Sequence, residues 1–239
     1  MNVIMLGPAG SGKSLLTGKF GEYLRSENYS VNLVNLDPGA YMLPYTCDYD
    51  IRDYFTIEKI MKEESLGPNG AMLRAMEKLS RMEIPEFHGD FVLVDTPGQL
   101  ETFAFHESGP NVVSQFEDAV GLFLIDPSIG ARDLPAAYLY RLAISYRLGI
   151  SVVTVINKVD LIAEDELERI RSCLLDPVKF KNDVKVAGAL SDLYVPLLRV
   201  MKRVIPAQRI PLVSAKTGKG LNELLDILYE VRCVCGDLT

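Results

Sequence analysis

Residues Gly7–Ser14 read GPAGSGKS, which fits the pattern G-x-x-x-x-G-K-S. They follow the short apolar run Val3–Leu6 and precede Leu15–Leu24, where apolar residues recur at helical spacing. Glycines here let the backbone wrap so that successive N–H groups point at phosphate oxygens. A helix that begins at this point adds the positive end of its dipole. The segment therefore predicts a binding loop for a nucleoside triphosphate.

Two side chains of this loop carry specific chemistry. Lys13 is expected to reach the β- and γ-phosphates, and the Ser14 hydroxyl is expected to ligate Mg²⁺. The other predicted nucleotide contacts of the loop are Gly7, Gly10, Ser11, Gly12 and Leu15. The alternative is an ordinary glycine-rich turn between a strand and a helix. The pattern by itself leaves the base and the use of the energy open.

A base-reading motif, N-K-V-D, begins at Asn157, directly after the apolar run Ser151–Ile156. The Asp160 carboxylate only accepts hydrogen bonds, so it suits the N1–H and N2 amino donors of guanine. Adenine instead presents an acceptor at N1. Asn157 is expected to bond the base or to brace the phosphate loop, and the stem of Lys158 to cover the base plane. The alternative is a helix N-cap provided by Asp160.

The sequence Ser214-Ala215-Lys216 resembles a second guanine-reading loop, because it follows the apolar run Ile210–Val213. The Ala215 backbone N–H is expected to donate to guanine O6. Alone this tripeptide is a weak signal, and a strand-to-helix turn is the alternative. Its position about one strand–helix unit after the N-K-V-D motif strengthens the guanine interpretation.

An apolar strand that ends in an acid, Phe91–Val94 followed by Asp95, is the Walker B pattern and predicts a Mg²⁺ ligand. The next residues complete D-T-P-G, and the Gly98 N–H is expected to sense a γ-phosphate. Gln99 follows at once, where a neutral amide can orient an attacking water. A solvated loop glutamine is the alternative, and Glu101 is a weaker candidate for the same work.

A second acid, Asp37, ends the run Val31–Leu36 and is followed by Pro38 and Gly39. At a strand end it is placed to bind the water shell of the metal or to accept a proton from the nucleophilic water. The alternative is a turn residue, since Asp-Pro-Gly is a favourable turn sequence.

Strand-length apolar runs alternate with helical patterns, which predicts a parallel sheet between two helical layers, the α/β/α fold of P-loop NTPases. Helical insertions are expected at about 38–90, with no clear strand, and at about 164–206. Both are interpreted as elaborations of a single domain over 1–239. The predicted strands are Val3–Leu6, Val31–Leu36, Phe91–Val94, Val120–Ile125, Ser151–Ile156 and Ile210–Val213. The predicted helices are Lys13–Ser26, Ile51–Glu64, Gly70–Arg81, Leu134–Gly149 and Leu221–Arg232.

Composition excludes several classes of function. A net charge of −7 over 239 residues argues against general nucleic acid binding. No apolar run reaches ~18 residues, so no membrane span and a cytoplasmic location are expected. The four cysteines lack a zinc-binding spacing and are expected to be reduced thiols, while the roles of Cys233 and Cys235 stay open.

Gly67-Pro68-Asn69-Gly70 has the composition of a β-turn, because proline fixes φ and Asn-Gly tolerates positive φ. Its place among the other motifs suggests more. A chain with GPAGSGKS, a strand ending L-D-P, a Gly-Pro-Asn segment, D-T-P-G-Q, N-K-x-D and S-A-K resembles the GPN-loop GTPases. The likeness extends from Met1 to about Leu228 and includes D-Y-D-I-R-D from Asp48.

The resemblance implies a homodimer in which the Gly67-Pro68-Asn69 loop of one subunit reaches the nucleotide site of the other, with Asn69 near the γ-phosphate. It also implies that Asp37 and Gln99 position water, and that Asp37 lies near the metal. Pro8 stands where MinD-like relatives carry an extra lysine, so no lysine from that position acts across the dimer.

The implied function is Mg²⁺-dependent hydrolysis of GTP to GDP and phosphate by a homodimeric molecular switch or assembly factor. RNA polymerase subunits are possible protein clients, because eukaryotic relatives act in polymerase assembly. One alternative is a slowly hydrolysing factor whose output is partner binding. Another is a P-loop kinase for small molecules, which would leave the N-K-V-D motif without a role.

Overall fold

The computed structural model describes residues 1–128, 130–176, 178, 196, 198–199, 202 and 209–236. Its sheet has six strands in the order β3-β2-β4-β1-β5-β6, and every neighbouring pair is parallel. The predicted α/β fold with a parallel sheet is therefore confirmed. The strands are β1 Asn2–Leu6, β2 Val31–Asn35, β3 Tyr49–Asp50, β4 Phe91–Asp95, β5 Ala119–Ile125 and β6 Ser151–Ile156.

Two helical layers cover the sheet, because successive strand residues point to opposite faces. Val3 and Met5 of β1 pack with α1 and α8, whereas Ile4 and Leu6 pack in the core with α2 to α7. Among the described residues, none of the helices combines the length and the apolar character that a membrane span requires. The helices are α1 Lys13–Ser26, α2 Ile57–Glu63, α3 Pro68–Leu79, α4 Leu100–Phe105, α5 Ser108–Val113, α6 Gly130–Leu148, α7 Glu164–Leu175 and α8 Leu221–Gly236.

Two strand predictions were wrong. The segment 38–90 contains β3, which pairs with the edge strand β2 and is too short to leave a periodic pattern. Conversely, Ile210–Val213 is not a strand, since only a single bridge joins Leu212 to Ile156. Pro211 has no N–H to extend a ladder there.

Two predictions for the helical insertion were also wrong. The helix expected at Ile51–Glu64 is instead a 3₁₀ turn, Ile51–Asp53, followed by α2, because Thr56 Oγ1 accepts from the Lys59 N–H at 3.2 Å and caps a new helix start. The Gly67–Gly70 segment is not a β-turn. Gly67 is the N-cap of α3 and Pro68 its first residue, where the fixed φ of proline suits a helix.

Helix α7 lies in the helical insertion expected at about 164–206, and most residues of this insertion after 176 lie outside the described residues. The carboxyl ends of β1, β2, β4, β5 and β6 meet at one edge of the sheet. In open parallel sheets this is the edge where ligands bind. The phosphate loop, Asp37, the D-T-P-G segment and the N-K-V-D motif lie at or just after these strand ends, and Ser214-Ala215-Lys216 follows the adjacent bridge at Leu212.

Candidate nucleotide site

The loop between β1 and α1 has the backbone that an anion site needs. Gly7, Gly10 and Gly12 have φ values of +143°, +78° and +94°. Gly12 is the N-cap of α1, no side chain caps this helix, and its first turn contains no acid. A methyl group at Gly12 would lie 2.5 Å from Asn157 Nδ2. The loop therefore leaves the positive end of α1 suited to a ligand that carries negative charge.

Lys13 lies at the centre of the site, with 5% of its surface exposed. Its ammonium donates to the carbonyl oxygens of Gly7 at 2.7 Å and Pro8 at 3.3 Å. Burial lowers the pKa of Lys13, while the negative charges of Asp95 and Asp37 oppose this shift. The two carboxylates that the sequence predicted for metal and water chemistry thus lie within electrostatic reach of Lys13.

Asp95, at the end of β4, is completely buried. Its Oδ2 accepts a hydrogen bond from the Tyr45 hydroxyl at 3.0 Å, and its Oδ1 has no hydrogen-bond partner among the described residues. Burial raises the pKa of Asp95 to about 6, and the hydroxyls of Ser14 and Tyr45 oppose the shift. A buried carboxylate oxygen without a partner suits a hydrated divalent cation. Ser14 and Asp37 are the other predicted metal ligands.

Asp37 is linked to the Walker B segment through its side chain. Its Oδ1 accepts from the Gly39 N–H at 2.8 Å, and its Oδ2 accepts from the Gly98 N–H at 3.1 Å. Burial raises the pKa of Asp37, and these two amides oppose the shift. The Gly98 amide, which was predicted to sense a γ-phosphate, therefore donates to Asp37 in this structure.

Gln99 and Glu101 are exposed at the start of α4. Gln99 Oε1 accepts from the Thr102 hydroxyl at 3.4 Å, and Glu101 Oε2 accepts from the Tyr140 hydroxyl at 3.3 Å. Neither contact fixes the side chain against Asp37. In this structure the Gln99 side chain is therefore hydrogen-bonded within the first turn of α4.

Asn157 joins the phosphate loop to the second base-reading loop. It is almost completely buried, its Nδ2 donates to the Ser11 carbonyl at 2.9 Å, and its Oδ1 accepts from the Ala215 N–H at 3.2 Å. Of the two roles expected for Asn157, the observed contacts correspond to bracing the loop. The Ala215 amide, predicted for guanine O6, is used for this brace, and Lys216 is exposed beside it.

Asp160 accepts a hydrogen bond from Ser214, which belongs to the second base-reading loop. Its Oδ1 accepts from Ser214 Oγ at 2.6 Å, and this hydrogen bond lowers the pKa of Asp160. Asp160 lies inside the 3₁₀ turn Val159–Leu161, whose N-cap is Lys158, so the alternative of a helix cap is wrong. Both base-reading motifs thus form one surface.

Lys158 adopts a left-handed backbone with φ +61°, and its ammonium pairs with Asp126 Oδ2 at 2.7 Å. Asp126 follows β5 and was missed by sequence reasoning, although an acid at a strand end was a usable signal. Tyr45 was also missed, since a tyrosine in a long loop has no distinguishing pattern.

Asn69 lies at the second position of α3 and is exposed. Within the described part of the chain, no hydrogen bond of its side chain is found. The corner between α2 and α3 that carries it is held by Arg74, whose guanidinium donates to Glu64 at 2.9 Å and Glu77 at 2.7 Å. The tertiary structure thus presents Asn69 outwards.

A phosphate loop after β1, a Walker B acid on the adjacent strand β4 and two joined base-reading loops define a P-loop NTPase. Residues 5–234 match a family model described as "Conserved hypothetical ATP binding protein". The chain is 40% identical to the GPN-loop GTPase PAB0955 of Pyrococcus abyssi over the full length of both proteins. The crystal structure of that GTPase in apo form has a TM-score of 0.85 to this chain, with 36% identity and 98% of each chain covered.

A GPN-loop GTPase 1 from Dictyostelium discoideum is 31% identical over 174 residues, which cover 67% of this chain and 44% of that longer protein. The chain belongs to the GPN-loop GTPase family, and it is accordingly a GTPase.

Proposed function

We propose that the chain is a Mg²⁺-dependent GTP hydrolase that works as a homodimeric molecular switch or assembly factor. The observation that carries the choice of guanine is the bracket made by Asn157, which connects the Ser11 carbonyl of the phosphate loop to the Ala215 amide. Ala215 is the neighbour of Ser214, whose hydroxyl bonds to Asp160, so the bracket connects Asp160 to the phosphate loop. A triphosphate bound at the loop would therefore have its base near a carboxylate. A carboxylate matches the two donors of guanine and opposes the N1 acceptor of adenine.

The metal proposal rests on Asp95 and Ser14. Asp95 Oδ1, which has no hydrogen-bond partner in the described part of the chain, and the Ser14 hydroxyl are oxygen ligands of the kind that Mg²⁺ accepts. Asp37 is the third proposed ligand, through the water shell of the metal. When bound, Mg²⁺ would neutralise charge on the β- and γ-phosphate oxygens. Lys13 would supply a second positive charge to the same phosphates.

Hydrolysis would proceed by attack of water on the γ-phosphorus, with GDP leaving and no covalent enzyme intermediate. Asp37 and Gln99 are the proposed residues that hold this water. The Gly98 amide now donates to Asp37 at 3.1 Å. Contact of this amide with a γ-phosphate would free one Asp37 oxygen to accept a hydrogen bond from the water.

The dimer proposal concerns the exposed Gly67-Pro68-Asn69 corner. A neutral amide at Asn69 would donate to phosphoryl oxygens in the partner subunit, where charge develops in the transition state. Each subunit would be one P-loop domain in the cytoplasm, and protein clients such as RNA polymerase subunits would bind according to the nucleotide state. Nucleotide-dependent client affinity is what a switch requires, since a client that binds both states equally shifts nothing.

A direct test incubates the purified protein with GTP or ATP, with Mg²⁺ or EDTA, and measures phosphate and nucleotide products. We expect release of one phosphate per GDP formed, with GTP strongly preferred over ATP and no turnover in EDTA. Equal use of ATP would contradict the guanine assignment. Light scattering after size exclusion is expected to give twice the subunit mass of 26.5 kDa.

Two alternative outputs are distinguished by the same preparation. If phosphate release is very slow while an RNA polymerase subunit binds only the GTP state, partner binding is the output and hydrolysis is only its timer. If an added small-molecule acceptor becomes phosphorylated without matching free phosphate, the protein is a kinase and the proposal is wrong.

A further inference from the structure

The loop that carries Asp37 is anchored on its N-terminal side by a buried amide. Asn35, the last residue of β2, is completely buried. Its Oδ1 accepts the Asp37 N–H at 3.1 Å, and its Nδ2 donates to Asp50 Oδ1 at 2.8 Å. The backbone at Asp37 is therefore tied to the edge strand β3, which contains Asp50.

The same acid pairs with Arg52, which anchors the loop on the C-terminal side. Arg52 Nη2 lies 2.6 Å from Asp50 Oδ2, and Arg52 Nε lies 2.9 Å from Asp50 Oδ1. The remaining nitrogen, Nη1, donates to the carbonyl oxygens of Ala40 at 3.0 Å and Tyr41 at 3.5 Å. One guanidinium therefore connects β3 to the chain just after Asp37.

The ion pair between Arg52 and Asp50 is partly buried, so solvent screens it less than a surface ion pair. The side chains of Arg52 and Asp50 are 24% and 15% exposed. Hydrogen bonds in which both groups are charged are stronger than neutral ones, and partial burial reduces their screening. The paired guanidinium holds the pKa of Asp50 down at about 2, although burial alone raises it.

The other hydrogen bonds of the 38–41 segment among the described residues are between backbone groups or within the turn. The Ile57 N–H donates to the Pro38 carbonyl at 3.1 Å, and the Ala40 N–H donates to the Asp37 carbonyl at 3.4 Å. Tyr41 and Met42 are 92% and 81% exposed, so their apolar side chains do not anchor it in the core. A cavity of about 350 Å³ lies beside it, lined by the loop residues Pro38 to Tyr41 together with Asp50, Arg52 and residues of the α2 start. Loss of the pair would leave the segment free to shift into this space.

We propose that Asp50 and Arg52 are positioning residues for GTP hydrolysis, which hold the 38–41 segment so that the Asp37 carboxylate stays at the Gly98 amide. The inference rests on the water-positioning role proposed above for Asp37. Neither side chain is expected to touch the nucleotide. They act through the backbone carbonyls of Ala40 and Tyr41, so their loss is expected to alter turnover and to leave affinity intact.

The first test measures kcat and KM for GTP together with the equilibrium affinity for fluorescent GDP. Arg52→Ala and Asp50→Ala are expected to lower kcat by about 10- to 100-fold, the range seen when a reacting group is displaced by about 1 Å. GDP affinity is expected to stay within about twofold, because the contacts of Lys13 and Asp160 are unchanged. Arg52→Lys is expected to fall between, since an ammonium lacks the planar fork that serves an acid and two carbonyls together.

Arg209→Ala is the matched control, because Arg209 forms an exposed ion pair with Glu230 on α8. It is expected to behave as the unaltered protein. The double variant Asp37→Asn/Arg52→Ala is expected to be no slower than Asp37→Asn alone, since Arg52 acts through Asp37. If Asp37→Asn turns over normally, the proposed role of Asp37 fails. If Asp37→Asn is slow and Arg52→Ala is normal, the positioning role fails.

Hydrogen exchange and chymotryptic cleavage of the full chain give a readout independent of turnover. Arg52→Ala is expected to increase exchange in residues 38–48 and cleavage after Tyr41, with the rest of the chain unchanged. A uniform rise in exchange with a lower melting temperature would mean a general stabilising role and would overturn the proposal. If Arg52→Ala does not fold, the same measurements on Arg52→Lys decide the question.

Discussion

In two carboxylates of this site, one oxygen accepts a hydrogen bond from a protein hydroxyl. Asp160 uses Oδ1 to accept from the Ser214 hydroxyl, which fixes the plane of its carboxylate. Asp95 uses Oδ2 for the Tyr45 hydroxyl and keeps a buried Oδ1 without a described partner. In each case one hydrogen bond within the protein orients the carboxylate before a ligand binds. This reduces the entropic cost of ordering the side chain on binding.

At this scale the base assignment is testable with Asp160→Asn. The amide nitrogen presents a donor towards the guanine donors, so we expect GTP affinity to fall by about 100-fold. This is less than the ~10⁴ of a fully buried polar site, because Asp160 is exposed. XTP is expected to bind better than GTP, since its C2 carbonyl accepts from the new amide. Competition against fluorescent GDP measures both effects.

Asp165→Asn, an exposed acid in the first turn of α7, is the control for the loss of one charge. Unchanged GTP selectivity in Asp160→Asn would show that the base is read elsewhere.

At the scale of elements, the phosphate loop between β1 and α1 packs closely against the N-K-V-D loop at Gly12. Gly12 has φ +94°, and a Cβ there would lie 2.5 Å from Asn157 Nδ2. The absence of a side chain is thus required both by the backbone and by the bracket that joins the loops. A non-glycine residue in this region of φ and ψ costs about 1–3 kcal/mol before any clash.

Gly12→Ala is therefore expected to weaken GTP and GDP binding by at least about 100-fold, because the strain and the displaced Asn157 act together. Gly218→Ala is the matched control. Gly218 has a similar φ of +80°, but a Cβ there meets no atom within 4 Å. It is expected to lower stability modestly and to leave affinity intact. Equal losses of affinity in both variants would show that the bracket is unimportant. Calorimetric titration with GDP measures both.

The α2–α3 corner is the second element with a testable role. Asn69→Ala is expected to reduce kcat by about 10- to 100-fold with little change in nucleotide affinity, because its amide would contact only the transition state. Asn222→Ala on α8, also exposed, is the control. A parallel fall in GTP affinity would mean that Asn69 binds substrate.

Mixing two impaired variants tests whether Asn69 acts across the dimer. In a mixed dimer, the Asn69→Ala subunit keeps Lys13 and the Lys13→Ala subunit keeps Asn69. One nucleotide site therefore has both residues intact only if Asn69 acts on the site of the other subunit. Recovery of activity on mixing supports the proposal, and its absence in a verified mixed dimer contradicts it.

For the whole molecule, two cores on opposite faces of one sheet hold the ligand edge. The core of α1 and α8 includes Phe20, which is completely buried. Phe20→Ala is expected to cost about 3–5 kcal/mol of unfolding free energy. Saturating GDP with Mg²⁺ is expected to restore about 2.7 kcal/mol at 100 times its Kd.

Chemical denaturation with and without nucleotide measures these terms. Tyr41→Ala, at a 92% exposed side chain, is the control and is expected to leave unfolding unchanged. A Phe20→Ala cost below 1 kcal/mol would show that the core repacks around the loss.

Much of this protein follows from the sequence alone. The alternation of apolar runs and helical patterns predicted a parallel α/β sheet, because period and run length record which faces are buried. The loop at Gly7–Ser14 and the acids Asp37 and Asp95 were predictable because strand ends of one sheet edge must meet. The family was recognisable from the order of these motifs.

The tertiary structure decided what depends on distant partners. The strand Tyr49–Asp50 forms because it pairs with β2, and α2 begins where it does because Thr56 caps it. Neither feature leaves a periodic pattern in the sequence. Three contacts join residues that are far apart in sequence and meet only in the folded chain. They are the Asn157 bracket, the hydrogen bond from Tyr45 to Asp95, and the hydrogen bond from Arg52 to the Ala40 carbonyl. Sequence periodicity records burial, whereas hydrogen-bond partners are chosen only when the chain is folded.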